Sequence, residues 1–332
     1  MLTTSVRRSR SPRVALVGLL LLVLALGTLS SSLRAQSSGG GTGGAGGADE
    51  APASVRLAWK WEVGDVLYYQ TVENVSQTLS PELGSTQTTE STTTWMKLEV
   101  TEVSEKGGAT ITYTYLATEG SFSNQNGDVE YQSWNPDHED LTDLPDVRPL
   151  AAMAGESFTV RFDSQGDVFE IDGYEEIFDG IFVFDDPMMM QMAEMMESLY
   201  SNETLESALE ASFGFLPEDP ITVGDSWEDP QRLPLAGFGS LALEIAYQCD
   251  AIDENSVVTL SAGGDVTIEV DAESPLAQTV DLTLGSSDLS GRMQFDAANG
   301  WLVSGTSELN MGLLMSFPAQ GFSGGADLAM TS

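Results

Sequence analysis

From Val55 onward, apolar residues recur at every second position. The runs are Met96, Leu98, Val100; Ile111, Tyr113, Tyr115; Phe158, Val160, Phe162; Leu241, Leu243, Ile245, Tyr247, Cys249; Val266, Ile268, Val270; and Val280, Leu282, Leu284. Between them stand Lys, Glu, Thr, Arg and Asp. A period of two gives each strand one buried and one wet face. Turn dipeptides punctuate the runs: Lys106-Gly107-Gly108, Asn126-Gly127, Gln165-Gly166, Gly263-Gly264-Asp265 and Asn299-Gly300. Connections this short join antiparallel neighbours, so the pattern predicts meanders.

One stretch breaks the period. Asp185-Asp186-Pro187 has the chemistry of a helix start: a carboxylate cap followed by proline at the first helical position. Met188, Met192, Met195, Met196 and Leu199 then fall on one helical face. Tyr200-Ser201-Asn202 reads as a break and a new cap. Leu205, Ala208 and Leu209 form a second short apolar face, and Gly214 is a candidate left-handed stop. Pro217 and Pro220 end the pattern. Residues 185–213 are therefore two helices, or one kinked helix, between β-rich halves at about 55–184 and 214–332.

Many one-sided strands make a wide apolar face, and something must cover it. The expected fold is mainly β with a central helical insertion: a curved antiparallel sheet or incomplete β-barrel covered by one or two helices. A soft thioether cover leaves room for an apolar ligand, so Met188, Met192, Met195, Met196, Leu199 and Leu205 are the expected ligand-binding residues. Thioethers also suit Cu(I), but no His or Cys accompanies these methionines, and core filling accounts for them.

The two halves echo each other. Val63-Gly64-Asp65-Val66-Leu67-Tyr68 resembles Val223-Gly224-Asp225-Ser226-Trp227, and Phe162-Asp163-Ser164-Gln165-Gly166 resembles Phe295-Asp296-Ala297-Ala298-Asn299-Gly300. The alternative is that such turns are common in any β protein.

The N-terminus carries Arg7, Arg8, Arg10 and Arg13 before an apolar run from Val14 to Leu29. This is the pattern of a secretory signal peptide, residues 1–35, with cleavage after Ala35. The expected location is extracytoplasmic, periplasmic or secreted; an uncleaved signal anchor is the alternative. No cysteine follows the apolar run, which excludes lipid attachment there, and no later stretch is long and apolar enough to span a bilayer. Residues 36–54 are a flexible Gly/Ser/Ala linker.

All 51 acidic residues lie beyond Ala35, against eight of the 13 basic ones, so the exported chain carries a formal charge of −43. Nucleic acid and anionic membranes are poor partners for such a surface. The single cysteine, Cys249, forms no intramolecular disulfide, and its place in an apolar run marks it as a small core residue.

Other chemical motifs fail on context. Gly41-Thr42-Gly43-Gly44-Ala45-Gly46 lacks the strand and helix a nucleotide loop needs. Gly321-Phe322-Ser323-Gly324-Gly325 lacks a following helix and a later histidine. The sole histidine, His138, sits in a polar loop and is expected to be solvated. The acids of that loop, Asp137, Glu139, Asp140, Asp143 and Asp146, are oxygen ligands without EF-hand spacing. No cofactor, metal site, catalytic residue or partner protein is indicated.

On Gly64, Asp65, Tyr68, Leu216, Pro217, Gly224, Asp225, Trp227, Phe162, Asp163, Phe295 and Asp296, the chain resembles a family of uncharacterised, exported bacterial β-rich proteins. Val223, which directly precedes Gly224, departs from that pattern. More distantly the architecture resembles the periplasmic lipoprotein-carrier fold, an incomplete barrel with helices across its concave side. That resemblance implies an acyl-chain site but no catalytic residue. The functional expectation is an exported, non-enzymatic protein binding a lipid or other apolar molecule. The alternatives are a closed envelope interaction domain and an acid-based hydrolase, which needs two carboxylates facing each other in a cleft.

Overall fold

A computed structural model describes residues 54–80, 85–125, 127–142, 144, 146–164, 166–179, 181, 200–235, 239–273, 277–278, 280–317 and 322–332. The chain is mainly β. Among the described residues, twelve strands form one antiparallel sheet that does not close. They are β1 (Val66–Leu79), β2 (Gln87–Val103), β3 (Ala109–Asn124), β4 (Gly127–Gln132), β5 (Ser157–Phe162), β6 (Val168–Asp172), β7 (Ser226–Leu235), β8 (Gly239–Ile252), β9 (Val257–Val270), β10 (Asp281–Asp296), β11 (Trp301–Phe317) and β12 (Phe322–Thr331). The spatial order is β6-β5-β3-β2-β1-β12-β11-β10-β9-β8-β7, with β4 on β3 off this path. The first meander, β1–β6, meets the second, β7–β12, where β1 pairs with β12. This leaves β6 and β7 at the two ends of that path.

Among the described residues, three short α-helices accompany the sheet: α1 (Arg148–Met153), α2 (Tyr174–Phe178) and α3 (Asn202–Phe213). Helix α3 packs against both β6 and β7, so it stands in the gap between the two edges. Ser201 caps it, its Oγ accepting from Thr204 N–H at 3.2 Å. Gln231 Nε2 on β7 donates to Ala211 O at 3.1 Å, and Trp227 Nε1 donates to Phe215 O at 2.7 Å. On the other edge, the Gly166 turn lies so close to Phe213 that a Cβ there would sit 2.8 Å from its carbonyl oxygen. Both edges can reach one helix only because the sheet curls.

The segment before β1 ties the meanders together. Val55 and Ile221 exchange two backbone hydrogen bonds at 2.8 Å. Trp59 Nε1 donates to Phe213 O at 2.7 Å, and its ring meets Phe295 edge-on at 5.2 Å. Trp61 stacks beside Trp59 at 5.8 Å, lies 6.3 Å from Phe162 and meets Trp301 at 4.9 Å. The two Phe-Asp hairpins, one from each meander, thus bracket the tryptophan pair. Trp59, Ile181 and Tyr200 pack against the apolar cores of both meanders.

The two Gly-Asp turns are built alike. Gly64 N–H donates to Val100 O at 2.8 Å and Val100 N–H returns to Asp65 O at 3.0 Å; Gly224 N–H donates to Cys249 O at 2.8 Å and Cys249 N–H returns to Asp225 O at 2.9 Å. Each Asp carboxylate closes its own turn, accepting from Glu62 N–H and Thr222 N–H respectively.

Two local expectations need correction. Gly214 ends α3 with φ −78°, not in the left-handed region. Glycine is needed there because a Cβ would lie 2.8 Å from Glu210 O. Gly263-Gly264-Asp265 is no turn: it lies inside β9, paired with β8 and β10. A Cβ on Gly264 would approach Glu244 O to 2.2 Å, so close strand approach, not chain reversal, explains it.

Candidate functional site: a cavity inside the curled sheet

Strand register carries particular side chains to the inner face. On β1 the apolar residues Leu67, Tyr69, Val75 and Leu79 share one parity, which places Thr71, Glu73 and Gln77 on the same buried side. Pairing with β2 sets Tyr69 opposite Met96, Thr71 opposite Thr94, Glu73 opposite Thr92 and Val75 opposite Glu90. Glu73 and Glu90 are therefore diagonal neighbours on one face.

The second meander has a different inner surface. Tyr247, Ala262, Gly291 and Ser307 pair in one row across β8, β9, β10 and β11. The next row runs Ile245, Gly264, Leu289, Leu309, and then through Met330 and Val75 to Glu90. Three small residues side by side leave a hollow that larger side chains would fill.

The polar wall and the hollow enclose a cavity of about 330 Å³. Glu73, Glu90, Thr92 and Tyr113 line it from the first meander, Leu243, Ile245, Ala262, Leu289 and Met293 from the second, and Tyr200 from the turn before α3. Leu205 and Leu209 of α3 close one side, with Trp59 and Trp301 alongside. This is the size and mainly apolar character of a small-molecule site.

Its electrostatics are unusual. Burial, followed by the neighbouring Glu90, pushes the Glu73 carboxyl up to about 8; burial, followed by Asp146, pushes Glu90 to about 8. Both carboxyls are thus largely protonated at neutral pH. Among the described residues, Glu73 Oε1, Thr71 Oγ1 and Tyr113 Oη have no hydrogen-bond partner. Tyr113 stacks on Phe158 at 5.0 Å, and burial raises the phenols of Tyr113, Tyr115, Tyr174 and Tyr200.

Of the residues expected to bind ligand, Leu205 lines the cavity and is buried. Met188, Met192, Met195, Met196 and Leu199 lie outside the described residues. Glu73 and Glu90 were missed, although strand parity from Leu67 to Leu79 carries the signal for Glu73.

The remaining candidates fall elsewhere. His138 is braced, contrary to the expectation of a solvated ring: Nδ1 accepts from Gln132 N–H at 3.0 Å, and Nε2 lies 3.0 Å from Asn135 Nδ2. Pro136–Leu141 forms a 3-10 helix with Asp137, Glu139 and Asp140 exposed. Asp146 lines the cavity and Asp143 lies outside the described residues. Among the described residues, no three His, Cys, Asp or Glu side chains gather closely enough to hold a metal ion. Cys249 is fully buried, which pushes its thiol up. Ser323 lies in strand β12. No helix among the described residues is long and apolar enough to cross a membrane.

A family of unknown function (DUF6263) matches residues 106–302. The chain belongs to that family. The matched span covers β3 to the start of β11, and so includes Tyr113, α3 and Ala262 and Gly291 of the hollow; Ser307 lies after it, and Glu73 and Glu90 lie before it. No curated protein matches the chain.

Proposed function

We propose that the protein is an exported, non-enzymatic binder that holds a lipid or other apolar small molecule inside the curled sheet. The observation that carries this reading is the cavity of about 330 Å³ enclosed jointly by both meanders and α3. A domain built only to stack or to dock would gain stability by filling that volume, since a void forfeits dispersion contacts on all its walls. The hollow is produced by Ala262, Gly291 and Ser307 in adjacent register, beside the larger Tyr247, Ile245, Leu289 and Leu309.

The N-terminal basic and apolar segment supports export. The distant resemblance to lipoprotein carriers agrees in kind, since an incomplete barrel with an apolar interior is a container for acyl chains.

Glu73 and Glu90 do bring two carboxyls together in a closed space, the arrangement an acid-based hydrolase requires. Such catalysis needs one carboxyl ionised and the other protonated, through environments that push the pair apart. Here burial raises both to about 8, which favours binding over hydrolysis.

The test is direct. The full chain is purified, extracted with organic solvent and analysed by mass spectrometry, and the stripped protein is titrated with apolar probes. Trp59 and Trp301 line the cavity, so tryptophan emission reports occupancy. A co-purifying apolar molecule, or a saturable emission change, supports the reading; a clean extract together with no saturable binding overturns it.

A further inference from the structure

We propose that the ligand carries an ammonium group on an apolar body, and that Glu73 and Glu90 receive this cationic head. The inference rests on the cavity reading above and adds the chemistry of the head group.

Glu73 is 8% exposed, lines the cavity, and its Oε1 has no hydrogen-bond partner among the described residues. A buried carboxyl left in this state costs stability unless a ligand completes it. Glu90 lies diagonally across the strand pair on the same face. The groups facing them are Thr92 on β2, the hydroxyl of Tyr200 before α3, and the exposed Asp146 before α1. All of these are neutral or acidic.

Among the described residues, neither Glu73 nor Glu90 forms an ion pair. Among the described residues lining the cavity the one cation is Arg292, which is exposed on β10 and alternates outward between inward-facing Gly291 and Met293. Residues 182–199 contain no Lys, Arg or His in their sequence.

A neutral ligand can donate one hydrogen bond to Glu73 but leaves both carboxyls protonated. An ammonium group completes the open acceptor and takes the place of a carboxyl proton, giving a charge-assisted pair. An anionic head offers no such exchange and adds an uncompensated charge to a cavity whose facing groups are neutral or acidic. Tyr113, Tyr200 and Trp59 add aromatic faces, which attract cations. The alkyl body then lies in the hollow by Ala262 and Leu289.

Binding exchanges one cation for another. The incoming ammonium displaces a carboxyl proton, which leaves for solvent, so net charge in the cavity is unchanged. Because both carboxyls are raised, this release is measurable at neutral pH.

The experiment compares decylamine, decanol and decanoate on the full chain by calorimetry, in buffers of different ionisation enthalpy, at physiological salt or above to screen the acidic surface. Decylamine should bind about tenfold or more tighter than decanol, with decanoate weakest, and with proton release. Glu73→Gln with Glu90→Gln should abolish the amine preference and the proton release while decanol binding persists; neutralising the exposed Glu254 and Asp271 should change neither. Decanoate binding as well as decylamine, or an amine preference that survives the double substitution, would overturn this proposal and leave the cavity reading standing. Failure of all three probes would overturn both.

Discussion

The two meanders share a plan and differ in what they turn inward. Each opens with a Gly-Asp turn closed by the same pair of backbone hydrogen bonds, and each sends a phenylalanine from a late hairpin to the tryptophan pair. Yet the inner face of β1 and β2 carries Thr71, Glu73, Glu90, Thr92 and Thr94, whereas that of β8 to β11 carries Leu243, Ile245, Ala262, Leu289 and Leu309. Turns and alternation are enough to build such a sheet. The inward set is then free to diverge, one wall becoming polar and the other apolar and hollow. A space between unlike walls suits an amphiphilic guest better than a purely oily one.

The strongest way to break the comparison is to uncouple the halves. Trp59→Ala removes the ring that contacts both cores, and should cost about 3–5 kcal/mol and split urea unfolding into two steps. One transition with an unchanged midpoint would mean that the β1–β12 pairing, α3 and the other shared contacts couple them without Trp59.

Next comes the hollow. Gly264→Ala drives a Cβ toward Glu244 O, and should cost about 1–3 kcal/mol in thermal or urea unfolding. Ala262→Leu should instead be nearly neutral in stability and lower decanol affinity about tenfold, because the new side chain occupies ligand volume. Undiminished binding would place the guest elsewhere.

The polar wall is probed by pH. The folded-state carboxyl of Glu73 is raised from the usual 4.5 to about 8, so the folded protein holds that proton more tightly than the unfolded chain. Its contribution is fully present below about 4.5, and is lost as pH rises through 8. Ligand-free protein should therefore weaken across this window. Glu73→Gln should flatten the decline and become more stable than the parent by about 1–3 kcal/mol at alkaline pH. Parallel pH profiles would show that Glu73 keeps no excess proton affinity.

The smallest effect sharpens the likeness. Asp65→Ala and Asp225→Ala each remove a turn-closing acceptor, and should cost a similar amount, about 1 kcal/mol, by urea unfolding. Unequal costs would show that the turns, though alike in hydrogen bonding, bear different loads.

The strand runs at Met96–Val100, Ile111–Tyr115, Phe158–Phe162 and Leu241–Cys249 were legible because burial on one face writes a period of two into the sequence. The Ser201 cap was legible for a similar local reason. The stretches Gln87–Thr94, Gly285–Gly291 and Ser304–Ser307 were not. Glu90, Thr92, Thr94, Leu289–Gly291 and Gly305–Ser307 in them line the cavity, where an inward position need not be a large apolar residue, and the alternation disappears. Gly263-Gly264 misled for the same reason: two glycines mark a reversal or a close approach equally well, and only the pairing partner distinguishes them.

What the chain determined by itself was therefore local. It specified one-sided strands, short turns, an acidic exterior and a curled antiparallel class of fold, since each depends on residues a few positions apart. The cavity and its carboxyl pair were decided by register. Glu73 meets Glu90, and Ala262 meets Gly291 and Ser307, only when strands far apart in sequence align, and a shift of one residue in any of them would turn those side chains out to water.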